Sequence, residues 1–145
     1  MSTGDNVITL TRVASPQVGP FVLRAYVDLF DRGLFDGRFT VKPDHHALLI
    51  EREVSRAELV PAAVAVFMVA AETRVLWVDL LYVKEEFRGQ GLCKRLIAGL
   101  NDIGRQNEAL ELQYGVDLKN TAMRSVAKRL GHSEFAVLMK GGMEL

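Results

Sequence analysis

Alternation of β-branched and polar residues at Val7-Ile8-Thr9-Leu10-Thr11-Arg12-Val13 predicts a first strand. Behind Ser15-Pro16 the period lengthens. Val18, Phe21, Val22, Ala25 and Leu29 fall at helical spacing, after a serine able to cap amides and a proline tolerated at a first helical position. Gly33 and Gly37 end that helix, and Phe35 to Asp44 reads as an irregular segment with room for a second short helix. Three strands are then predicted, Ala47 to Val54, Ala62 to Ala71 and Arg74 to Val83, parted by Ser55-Arg56-Ala57-Glu58 and by Glu72-Thr73. The tight second joint makes the last two an antiparallel pair. Residues 62–71 have no polar face and are rich in valine, which predicts a central strand covered on both sides.

From Gly91 to Arg105 the period changes again, with Leu92, Leu96, Leu100 and Ile103 on one side of an amphipathic helix. Ala109 to Val116 returns to a strand. Asn120 then caps a helix with Ala122, Met123, Val126, Ala127 and Leu130 as its stripe and Gly131 as its stop, and Phe135 to Met139 is a last short strand. The order β, α, β, β, β, α, β, α, β predicts an α/β sandwich, one mixed and mostly antiparallel sheet flanked by helices, as a single domain over residues 1–145.

The stretch with chemical content is Leu80 to Leu96. An apolar strand runs into a turn with Gly89 and Gly91, and a helix begins at once. Unsatisfied amides at a helix N-terminus can hold an anion such as a phosphate, and glycine lets a ligand approach the backbone. Neither the G-x-x-x-x-G-K-[ST] loop nor the third glycine of a dinucleotide fingerprint is present, which leaves a different pyrophosphate cradle.

Arg88-Gly89-Gln90-Gly91-Leu92-Cys93 resembles the signature of the GNAT superfamily of acyl-CoA-dependent N-acetyltransferases: Arg or Gln, two residues, Gly, one residue, then Gly or Ala. The resemblance covers Val75 to Gly131 well and the ends by strand order. It implies that acetyl-CoA is the co-substrate and that Arg88, Gly89, Gln90, Gly91, Leu92 and Cys93 form the pyrophosphate site. By the same resemblance the backbone of Leu81, Tyr82 and Val83 pairs with the pantetheine arm, and Asn120 contacts the cofactor from the next helix.

Charge is compatible with that picture. Lysine and arginine total 18, as do aspartate and glutamate, so the chain is not built to hold nucleic acid through its phosphates. Basic residues nevertheless concentrate late: Lys119 to Arg129 contains no acid, which would attract a phosphorylated cofactor. One cysteine, Cys93, excludes an intramolecular disulfide and suits a reducing cytoplasm. The longest apolar run is too short to cross a bilayer and Met1 to Asn6 lacks a basic or hydrophobic leader, so no membrane role is expected.

The chain departs from the family pattern in three places. Cys93 stands where the cradle usually ends in Gly or Ala. Ala127 stands where many members carry a tyrosine that protonates the departing thiolate, and Gly115 stands where enzymes of protein N-termini carry a glutamate. Other residues must then serve. Asp79 is the one acid in its strand; period-two alternation puts it on the face of Trp77, Leu81 and Val83, as general base or amine anchor. Tyr82 and Tyr114 are candidate acids, and His45-His46 a candidate base acting through water; no metal set is evident.

The expectation is acetyl transfer from acetyl-CoA, by direct attack, to a primary amine of a small molecule, a protein lysine or a protein N-terminus. A catalytically silent acyl-CoA-binding module, or an interaction protein with an empty cradle, remains open. The last strand, if exposed, could pair two subunits into a homodimer.

Overall fold

Residues 62–67 are the most completely buried run in the chain, and they lie at the centre of its sheet. The computed structural model describes residues 6–34, 42–139 and 141–143. In order these form β1 (Asn6–Arg12), α1 (Gly19–Asp31), β2 (His46–Ser55), β3 (Glu58–Ala70), β4 (Val75–Val83), a 3₁₀ turn (Glu85–Phe87), α2 (Leu92–Gln106), β5 (Glu111–Tyr114) and α3 (Thr121–Arg129). The strands run β1-β2-β3-β4-β5 across one sheet, antiparallel except for the parallel β4–β5 pair. This is the expected mixed α/β architecture. The chain divides into two compact units, Met1–Gly115 and Val116–Leu145.

Within the first unit each face of the sheet carries one helix. Val18, Phe21, Val22 and Ala25 pack with Ala47, Leu49, Val64, Val66, Leu80 and Tyr82, so α1 covers that face. On the other face α2 buries Leu92, Leu96, Ile97 and Leu100 and lies against Leu48 and Leu76. Each such side chain contributes roughly 1.5–3 kcal/mol when taken fully out of water. The approach is closest at Gly99, where an added Cβ would stand 2.7 Å from Leu48 Cδ2. Alanine there gains about 1 kcal/mol of helix propensity, but pressing on a buried leucine costs about 1–3 kcal/mol. Gly99→Ala is therefore expected to lower stability by about 1 kcal/mol, read as a shift of the urea midpoint at unchanged slope.

Three local expectations are corrected. The first helix does not start at Ser15-Pro16: the Ser15 carbonyl accepts the amides of Val18 and Gly19 in a separate turn, and Pro20 occupies the helix's first turn. The strand expected over Ala109 to Val116 is only Glu111–Tyr114. Phe135 to Met139 forms no strand. Within residues 116–145 no other described strand exists to accept its backbone, and Phe135 and Met139 are 69% and 87% exposed. Among the described residues, no helix is long and apolar enough to cross a membrane.

Candidate functional site

Pairing of β4 with β5 stops halfway. Val75–Val78 match Glu111–Tyr114, while β4 continues for five more residues, Asp79 to Val83, with no described strand on that side. The Lys84 amide donates to the Ala62 carbonyl at 2.8 Å, which sets the phase of the ladder. Leu80, Tyr82 and Lys84 therefore exchange hydrogen bonds with β3, and Leu81 and Val83 turn their backbone groups to the open side. Arg88 Nε takes the Val83 carbonyl at 2.9 Å and closes the end of that edge.

The open edge leads into the glycine turn. Gly89 and Gly91 have φ of +79° and +78°, a region that strains residues with a Cβ. A Cβ at either position would meet no described atom within 4 Å, so among the described residues the space at the turn is clear. Gly91 is the N-cap of α2 and no described side chain caps the first amides there. The contrast with α3 is instructive, since Asn120 Oδ1 accepts the Met123 amide at 3.1 Å and caps its own helix. Asn120 belongs to the second unit. Leu92 buries its side chain, and Cys93 is half-buried in the first turn of α2, where burial pushes its thiol up and keeps it protonated.

Asp79 sits at a break in register. Val66 pairs with Leu80 but Phe67 pairs with Val78, so Asp79 is an extra residue, a β-bulge. The bulge reverses the alternation: Trp77 shares the α1 face with Leu80 and Tyr82, while Leu81 and Val83 face the other way. The expected grouping of Asp79 with Leu81 and Val83 is corrected accordingly. Trp77 Nε1 donates to Asp79 Oδ1 at 2.9 Å. Asp79 Oδ2 is buried, has no described hydrogen-bond partner and lies 3.6 Å from Nδ1 of the buried His45. Burial pushes the carboxyl up, and neither the Trp77 bond nor the His45 charge cancels that. His46 stacks on Phe67 instead, with centroids 5.6 Å apart.

The two tyrosines have different surroundings. Tyr82 is buried on the α1 face and donates its hydroxyl to Asp28 Oδ2 at 2.9 Å, so its phenol is held away from the open edge. Tyr114 ends β5 opposite Val78, where the two strands part. Burial first, and then the neighbouring Cys93, push its hydroxyl up, so it stays a proton donor at neutral pH. Asp28 and Arg52 were not legible beforehand. Arg52 bonds Gln90 and covers the Phe87 ring at 5.8 Å, and Asp28 receives Tyr82 and Arg88 from residues far along the chain. The local signal at Asp28 is a helical ion pair with Arg32, which is ordinary for a surface. Among the described residues no group of three His, Cys, Asp or Glu could hold a metal.

The sequence model of the acetyltransferase (GNAT) family matches residues 16–132. No curated protein sequence matches the chain. Solved structures share the fold at low identity. An aminoglycoside N-acetyltransferase, AAC(6')-Iy, in complex with CoA is 13% identical, with 98% of this chain and 97% of that one covered and a TM-score of 0.63. A ribosomal-protein-alanine N-acetyltransferase from Brucella melitensis biovar Abortus 2308 is 18% identical over 97% and 100%, with a TM-score of 0.60. An aminoglycoside acetyltransferase from an uncultured soil metagenomic sample, in complex with trehalose, is 11% identical over 96% and 97%, with a TM-score of 0.68.

Proposed function

Because the chain belongs to the acetyltransferase (GNAT) family, we propose that residues 1–145 act as one catalytic domain in the cytoplasm, moving an acetyl group from acetyl-CoA to an acceptor amine by direct attack. The observation that carries this reading is the continuity of the open β4 edge with the glycine turn and the uncapped start of α2. Acetyl-CoA supplies the activated acyl thioester. The amides of Gly89 to Cys93 hold its pyrophosphate at the positive end of α2, and the clear space in front of both glycines fits an anion there. Backbone groups of Leu81 and the Val83 amide pair with the pantetheine arm as an added strand would, the Val83 carbonyl being held by Arg88 and Tyr82 between them facing β3.

The residues divide the proton work. Attack requires an uncharged amine, so a base must take its proton while an acid meets the leaving thiol. Asp79 is the base in this reading, since its Oδ2 has no described donor and sits at the bulge that begins the open edge. His45 lies 3.6 Å away, with its Nδ1 also accepting the Lys42 amide. Tyr114 is the acid, taking the place that Ala127 leaves empty in the family pattern. The acceptor is an amine-bearing small molecule or a protein amine, the classes named for the similar structures.

The test follows release of CoA thiol from acetyl-CoA with a panel of an aminoglycoside, a polyamine, a lysine peptide and an alanine N-terminal peptide. Amine-dependent release is expected for at least one of them, and binding without release from any would favour the silent module. Tyr114→Phe is expected to lower kcat about 100-fold with little change in the KM for acetyl-CoA, at the low end of what a positioned general acid contributes. Unchanged turnover would return the acid's role to water.

A further inference from the structure

Asp28 stands on α1, outside every residue assigned to the cradle, yet the cradle is tied to it. Three donors converge on its Oδ2: the Tyr82 hydroxyl at 2.9 Å, Arg88 Nη2 at 3.2 Å and Arg32 Nη1 at 3.5 Å. Arg88 is held at two further points. Its Nε bonds the Val83 carbonyl at 2.9 Å and its guanidinium covers the Tyr82 ring at 5.7 Å. The residue immediately before Gly89 is therefore anchored to the end of β4, to the sheet face and to α1 at once. Partial burial pushes the Asp28 carboxyl up, but the bonds from Tyr82 and Arg88 and the charges of Arg32 and Arg88 outweigh it and hold it below the usual aspartate range.

We propose that Asp28 is a positioning residue for the acetyl-CoA cradle, acting through Arg88 to fix the turn that presents the Gly89 to Cys93 amides. The inference rests on the assignment of that turn as the pyrophosphate site. A turn whose two glycines both adopt positive φ has no side chain of its own at those points to hold it, and ordering it would otherwise be charged to ligand binding. With its charge matched by Asp28, Arg88 serves as an anchor and leaves the anion to the backbone. The rival role has the opposite sign: if Arg88 were the phosphate ligand and Asp28 a competitor for it, removing Asp28 would tighten binding.

The experiment compares wild type, Asp28→Asn and Asp28→Ala. Amide hydrogen exchange of Phe87, Arg88 and Arg95, whose amides bond the Lys84, Glu85 and Gly91 carbonyls at the two ends of the turn, is measured without any CoA, beside exchange in β2 and β3. Exchange in the turn is expected to rise about tenfold in Asp28→Ala, with the strands unchanged, and less in Asp28→Asn, which keeps an oxygen acceptor. With acetyl-CoA, the KM is expected to rise about tenfold in Asp28→Ala while kcat changes less than threefold. Unchanged exchange in the turn, or tighter CoA binding in either variant, would overturn the proposal. If wild type binds no CoA, the exchange arm still decides whether Asp28 anchors the turn, and the failure belongs to the functional assignment. Should Asp28→Ala not fold, Asp28→Asn and the pair with Arg88→Lys carry the same two readouts.

Discussion

A Gly91→Trp protein is expected to fold and to lose acetyl-CoA binding by at least 100-fold, from a wild-type Kd on the order of micromolar. The expectation follows from two properties of one residue. Gly91 has φ +78° and is the N-cap of α2, so a side chain there costs about 1–2 kcal/mol of backbone strain. A domain of ordinary stability tolerates that loss. Its Cβ would meet no described atom within 4 Å, so an indole has open space to enter at the residue that caps the α2 amides. Gly91→Ala separates the two contributions, since it carries the strain with almost none of the bulk. Titration calorimetry of wild type, Gly91→Ala and Gly91→Trp with acetyl-CoA should give full, nearly full and undetectable binding in that order. Retained binding in Gly91→Trp would move the pyrophosphate away from this turn, and with it the functional assignment.

Legibility in the sequence tracked the range of the interaction. The glycine turn and the helix after it could be read because their signals lie within a few residues: a strand, two glycines one residue apart, then leucines at helical spacing. Residues 62–67 could be placed at the sheet centre because an all-apolar run admits no solvent face. The bulge at Asp79 left no such trace, because Leu76, Val78, Leu80 and Tyr82 alternate as they would in an unbroken strand, and only the partner register reveals the extra residue. Asp28 was hidden for the same reason, its partners Tyr82 and Arg88 lying 54 and 60 residues away. Phe135 to Met139 has the pattern of a strand, but a pattern supplies only one of the two edges that a strand needs. Tyr82 and Tyr114 were equivalent as sequence; the hydroxyl of one is spent on Asp28 and the other ends β5 where the sheet opens.

The bulge also determines what happens when Asp79 is replaced. Asp79→Asn keeps an oxygen that can accept from Trp77 Nε1 and keeps the volume, but it cannot take a proton. General-base catalysis is worth about 10²–10⁴-fold, so kcat/KM should fall by about 10³-fold while acetyl-CoA affinity stays within a few-fold. The pH profile gives the sharper reading. Burial pushes the carboxyl above the ordinary aspartate range, so the acid limb of wild-type activity should lie above that range too, and the variant should show low activity with that limb gone. Stability should move in the opposite direction. A raised folded-state pKa means that the native protein holds a proton which the unfolded chain has already lost, so native stability falls as pH rises from the unfolded to the folded value. Asparagine never ionises, and Asp79→Asn should therefore be at least as stable as wild type at neutral pH. A variant that is more stable yet nearly inactive, with binding preserved, would show that the wild-type protein gives up native stability at Asp79 for proton transfer. One that keeps wild-type turnover would remove the residue from the reaction and leave its buried oxygen to a structural pairing with His45.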